Sequence, residues 1–170
     1  MNETDKRLHR CCFTGHRPEK LHESELEIKQ KLEEMIDQAV ADGFVTFITG
    51  MAMGVDLWAA EIVLQKKAKN PTLHLIAATP YASFSARWHN EWRNKYNTIW
   101  NAADYRVIVS KGYSNDVFQR RNEWMVNHVS RVIAYYNGEK GGTRNTINYA
   151  NSKGVDVIVV DENAGNLNDL

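Results

Sequence analysis

Three glycine-bearing segments stand where the pattern of the chain places the ends of strands. They are Thr14-Gly15-His16-Arg17-Pro18, Gly50-Met51-Ala52-Met53-Gly54-Val55-Asp56 and Gly141-Gly142-Thr143-Arg144. A glycine lets backbone N–H groups approach an anion with no Cβ in the way. A helix beginning behind such a turn adds unpaired donors and a partial positive charge. Arg17, with Arg120 or Arg121, adds a planar fork that matches phosphate or carboxylate. Together these residue types offer anion recognition. Any one segment alone reads as an ordinary turn, because turns demand glycine. Three at one predicted edge point to a ligand. Neither G-x-G-x-x-G nor G-x-x-x-x-G-K-[ST] occurs in the segment from Ile48 to Glu61.

The remaining candidates flank these turns. His16 and Arg17 follow a strand, where a ligand contact is favoured over a core role. Thr79-Pro80-Tyr81 ends the third predicted strand. Arg120, Arg121 and Asn122 lie on one helix, and consecutive residues point about 100° apart. One of the two arginines therefore faces the site, and the sequence does not say which. Tyr81 and Trp88 are candidates to stack on a base or shape the rim. Trp92, Tyr96, Ile99 and Trp100 fall three or four apart and read as core. Met51 belongs to the second turn, with packing as its simplest role. Asp56 has two open roles: support of a helix dipole, or acceptor for a ribose hydroxyl.

The elements that must position these residues alternate. Strands are expected over Leu8 to Gly15, Phe44 to Gly50, Leu73 to Pro80, Asp104 to Ser110, Arg131 to Gly138 and Val155 to Asp161. A helix with the stripe Ile28, Leu32, Met35, Ile36, Ala39 and Val40 follows the first and stops at Gly43. Others run from about Gly54 to Lys67, along Trp88 to Ala103 as the longest, from Asn115 to Val129, and behind Gly141. The fold class is α/β: a single Rossmann-like domain over 1–170, with an ordered core of about 8–161. Its central sheet of about six strands is mostly parallel and flanked by helices. In such sheets ligands bind beyond the carboxyl ends of the strands.

Formal net charge is zero, from 21 Lys+Arg against 21 Asp+Glu. A chain that lives on nucleic-acid backbone carries a basic excess, so nucleic acid is disfavoured as a partner. Cys11 and Cys12 are adjacent, point to opposite faces of a strand and do not pair with each other. No C-x-x-C or His/Cys cluster suggests a metal. The polar start "MNETDKRLHR" lacks the apolar run of a signal peptide, and no stretch approaches a membrane span. A cytoplasmic protein without membrane contact is expected.

The segments "FTGHRPEK", "TGMAMGVDLWAAE", "RWHNEWRNKY" and "FQRRNEWMVNHVSRVIAYYNGEKGGTRNTINYA" resemble the YpsA-like family of small bacterial proteins. That family lies in the SLOG superfamily, with the DNA-processing protein DprA and the LOG nucleotide phosphoribohydrolases. The resemblance runs from about Leu8 to Asp161. It implies a nucleotide or a nucleotide-derived small molecule as ligand, products of NAD and ADP-ribose derivatives included. No other cofactor is implied. It also implies a homo-oligomer.

"TGMAMGVD" is similar to the "SG-x-A-x-GID" of DprA, a single-stranded-DNA binder. The LOG enzymes carry "PGG-x-GT-x-EE" where this chain has "GEKGGTRNT", and the two glutamates correspond to Asn145 and Thr146. Neither takes a proton at neutral pH, so the resemblance favours recognition without turnover. The expected function is ligand sensing or ligand sequestration. The rivals are a phosphoribohydrolase using Asp56 or Glu61, and a DprA-like module for single-stranded DNA.

Overall fold

Ser24 starts the longest helix with a reciprocal cap. Its hydroxyl accepts from the Glu27 N–H, and the Glu27 carboxylate accepts from the Ser24 N–H. The helix then buries Ile28, Leu32, Ile36 and Ala39 along one stripe and ends before Gly43, whose φ is +103°. Five other helices and six strands complete the fold among the described residues. The computed structural model describes residues 2–162.

In chain order the elements are α1 (Glu3–Arg7), β1 (Arg10–Gly15), a 3₁₀ turn (Pro18–Lys20), α2 (Glu25–Ala41), β2 (Thr46–Thr49), α3 (Val55–Lys69), β3 (His74–Thr79), α4 (Asn90–Ala102), β4 (Tyr105–Ile108), α5 (Val117–Asn127), β5 (Arg131–Tyr136), α6 (Gly142–Ser152) and β6 (Asp156–Asp161). The strands form one sheet in the order β4-β3-β2-β1-β5-β6. Every neighbouring pair is parallel, so the Rossmann-like expectation stands. No described helix is long and apolar enough to cross a membrane.

Two cores cover the two faces of the sheet. Residues from α2, α3 and α4 pack with Cys11, Phe13, Phe47, Leu75 and Ile133 on one face. Met125 and Val126 of α5 and Ala150 of α6 pack with Cys12, Ile48 and Val132 on the other. Cys11 and Cys12 thus belong to opposite layers, both free and fully buried. Burial pushes both thiols up from their ordinary value.

Three details differ from the reading of the sequence. The first strand begins at Arg10, because residues 3–7 coil into a helix capped by Asn2. The longest helix is α2, with 17 residues against 13 in α4. Trp88 lies before α4 and not within it.

A cavity at the sheet's crossover point

From β1 the chain steps outward to β4, then returns across the sheet to place β5 beside β1. The connections behind β1 and β5 therefore leave in opposite directions and open a crevice at their carboxyl ends. A cavity of about 280 Å³ occupies that crevice. The end of β1 contributes Phe13, Thr14 and Gly15, and the segment behind it His16, Arg17 and Lys20; α3 contributes Asp56; α5 contributes Phe118, Arg121 and Asn122; and the segment before and into α6 contributes Glu139 to Thr143.

The floor is a buried pair of opposite charges held apart by a glycine. A Cβ on Gly50 would lie 2.8 Å from Asp56 Oδ2 and 3.0 Å from Arg121 Cζ. No side chain fits there. Arg121 donates from Nε to Asn122 Oδ1 at 2.8 Å and from a terminal nitrogen to the Gly50 carbonyl. Asp56 Oδ2 accepts from the Ala52 N–H at 3.2 Å. Burial pushes the Asp56 carboxyl up to about 6, while Arg121 and the Ala52 N–H pull the other way. Burial likewise lowers the Arg121 value, Asp56 opposes that shift, and the charge of Arg17 adds to it. Arg17 and Arg121 are thus near enough to repel.

The walls supply donors. The His16 ring stacks on Tyr136 at 5.9 Å, and its Nε2 accepts from the Asn137 N–H at 3.1 Å. That bond places the ring proton on Nδ1. Burial holds the His16 value below its ordinary level, so the ring is neutral at pH 7. Arg17 is exposed and makes no side-chain hydrogen bond or ion pair among the described residues. Gly141 sits at φ +148°, ψ −161°, a conformation open to glycine alone. It turns the chain into α6, whose first turn has no side-chain cap. Four cations line the cavity (Arg17, Lys20, Arg121, Lys140) against two carboxylates (Asp56, Glu139), an excess of two positive charges in a chain of zero net charge.

The structure thus gathers Thr14, Gly15, His16, Arg17, Asp56, Arg121, Asn122, Gly141, Gly142 and Thr143 around one space. Others of the sequence's candidates stand behind it. Gly54, at φ +92°, brings the second turn against the first: a Cβ there would meet the His16 carbonyl at 2.8 Å. Met51 is fully buried and adopts a left-handed φ of 65°. Thr79 accepts a hydrogen bond from Tyr96. Pro80 and Tyr81 follow β3, and the Tyr81 ring packs on Phe84. Trp88 packs on Phe84 and Tyr96. Arg120 points to solvent and pairs with Asp116 at 3.0 Å.

Sequence reasoning missed Phe13, Lys20, Ala52, Phe84, Phe118, Glu139 and Lys140. Phe118 was within reach, since it lies three and four residues before Arg121 and Asn122 on one helix face. Phe84 was not, because residues 80–89 have no regular period. Asn145 is exposed and Thr146 donates to the Gly142 carbonyl; neither lines the cavity. Glu61 faces elsewhere, paired with Lys95.

The family model described as the YspA SLOG family matches residues 11–160. The chain belongs to this family. Its curated relatives include the SPbeta prophage-derived protein YoqJ of Bacillus subtilis (strain 168), 34% identical over an alignment of 138 residues that covers 74% of this chain and 81% of that protein. A UPF0398 protein of Halalkalibacterium halodurans is 29% identical over 139 residues, 77% of this chain and 74% of that protein. Among solved structures, DNA processing protein A from Helicobacter pylori, described with a single-stranded DNA binding mode, matches with a TM-score of 0.64 at 18% identity, over 98% of this chain and 74% of that one. DprA from Streptococcus pneumoniae gives 0.63 at 15% identity, and the match spans 89% of this chain and 50% of that one. At such identities the likeness establishes that this SLOG chain shares the DprA fold.

Proposed function

We propose that this protein binds a nucleotide or nucleotide-derived ligand, ADP-ribose derivatives included, in the β1/β5 crevice, and recognises it without converting it. The observation that carries the reading is the meeting of an uncapped α6 N-terminus with the excess of cations on one cavity. The phosphate lies against the Gly142 and Thr143 N–H groups. Arg17 and Lys140 close over it, and His16 Nδ1–H donates from the side. The Asp56 oxygen not engaged by Ala52 accepts a ribose hydroxyl. The cavity, at about 280 Å³, lies just below the roughly 300–1,000 Å³ of ligand pockets, which suits a phosphate with its sugar better than a dinucleotide enclosed entire. Such a protein serves as a sensor, or as a sequestering protein that lowers free ligand.

One observation favours turnover as the second reading. Asp56 lines the cavity with a value near 6, the range of a general acid or base at neutral pH. Against it, one carboxylate oxygen is already engaged by Ala52.

A thermal-shift panel of nucleoside phosphates, NAD and ADP-ribose tests binding, because a native-state ligand raises apparent stability. A rise of several degrees with at least one member is expected. No shift with any member, together with no small molecule released on denaturation, overturns the reading. Free base liberated from a nucleoside monophosphate supports the enzyme instead. Tight binding of an oligonucleotide that weakens steeply with salt supports the DprA-like module.

A further inference from the structure

The cavity has two chemically different ends. The polar end is the phosphate cradle, on whose reading this inference rests. The other end is a cluster of rings. Phe84 and Phe118 both line the cavity, with centroids 5.7 Å apart. Trp88 supports Phe84 from behind at 5.0 Å, and Tyr81 contacts both Phe84 and Phe118, at 5.7 and 6.4 Å. Phe84 is buried, whereas Phe118 is only partly covered. Tyr113 packs edge-on against Phe118 at 6.3 Å and against Tyr81 at 5.9 Å, yet its side chain is 67% exposed.

A sugar phosphate needs no such wall. A planar heterocycle does, because it stacks on or against aromatic rings. A partly covered ring beside a phosphate cradle, extended by an exposed tyrosine, matches a ligand whose phosphate and planar group are separated by a sugar. The two rings that line the cavity also lack what would read a base edge. Phe84 and Phe118 carry no donor or acceptor. Of the cavity-lining polar side chains on the helix of Phe118, Arg121 is engaged by the Gly50 carbonyl and by Asn122 Oδ1. Discrimination among bases by hydrogen bonding is what such a wall cannot supply.

We infer that Phe118, backed by Phe84 and extended by Tyr113, is the base-stacking wall of the site, and that it selects nucleotides over sugar phosphates without selecting among bases. The rings named from sequence for this role, Tyr81 and Trp88, are the support behind the wall.

Isothermal titration with adenosine 5′-monophosphate, uridine 5′-monophosphate and ribose 5-phosphate tests this. Stacking of one base is lost on alanine substitution as a roughly fivefold to hundredfold weakening. The wild type is expected to bind both nucleotides at least about fivefold more tightly than ribose 5-phosphate. Phe118→Ala is expected to erase that margin and leave ribose 5-phosphate unchanged, and Phe118→Tyr to retain it. Tyr113→Ala, at an exposed position that does not endanger folding, is expected to reduce the margin in part. An unchanged margin in both Phe118→Ala and Tyr113→Ala overturns the inference. So does a preference between the two nucleotides beyond about tenfold, which would require an edge reader. Ribose 5-phosphate binding with no gain from the base overturns the wall alone. Absence of binding by all three overturns the phosphate cradle and the wall together.

Discussion

Arg120 and Arg121 are neighbours in sequence with opposite fates. The Arg120–Asp116 pair is an exposed contact one helical turn long, screened by water and salt. Arg120→Ala is therefore expected to change stability by less than about 0.5 kcal/mol. Arg121 is buried beside Asp56, and removing one member of a buried pair strands the other. Arg121→Ala is expected to cost on the order of 3 kcal/mol in urea unfolding. Equal effects of the two substitutions would refute this placement.

Asp56 gives a pH signature whose sign follows from its raised value. Between pH 4 and 6 the folded state holds the Asp56 proton and the unfolded state has released it. The stabilising share of this group is thus complete below about pH 4 and lost as pH rises through 6. Relative to Asp56→Asn, the wild type should lose stability across that window and then run parallel. Denaturation at several pH values in both proteins measures the difference; a gap that does not change with pH contradicts the burial argument.

Among the elements, the β2–α3 turn is tightly constrained by backbone close to it. Gly43 and Gly54 both have positive φ, but a Cβ at Gly43 meets nothing within 4 Å, while at Gly54 it meets the His16 carbonyl and Pro18. Gly43→Ala costs only backbone strain, roughly 1 kcal/mol. Gly54→Ala adds displacement of the loop that carries His16 and Arg17. It should unfold at distinctly lower urea and weaken ligand binding, and equal midpoints for the two variants would sink the argument.

The legibility of the elements follows the same physics. The α2 stripe and the strands were readable because burial imposes a period on the chain. Helix α1 was not, because it is tied down by distant groups: Arg7 to the Val129 carbonyl, and Arg10 of β1 to Glu3. The ring cluster was half legible. Tyr81 and Trp88 were drawn from the correct segment, but in an irregular stretch no period tells which ring faces inward. The choice between Arg120 and Arg121 required a tertiary contact, the Gly50 carbonyl seventy-one residues away.

At the scale of the whole molecule, the topology does what no single motif does. The glycine turns are unremarkable apart. The return of the chain from β4 to β5 brings the first and third together, and the second turn braces the first from behind through Gly54. A protein with no net charge thereby holds a local excess of positive charge over a cavity. The SLOG family membership and the DprA-like fold establish the scaffold. The cavity's own residues carry the case for a compact anionic ligand over a long nucleic-acid strand.

The central claim is that this cavity binds the phosphate of a nucleotide. Arg17 and Lys140 provide the cleanest handle, because both are exposed and neither side chain makes a hydrogen bond or ion pair among the described residues. Isothermal titration of a nucleotide identified by thermal shift should show Arg17→Ala plus Lys140→Ala weakening binding at least about tenfold, the loss of two charge-assisted contacts, with an unchanged unfolding midpoint. Full affinity in the double variant would contradict the account.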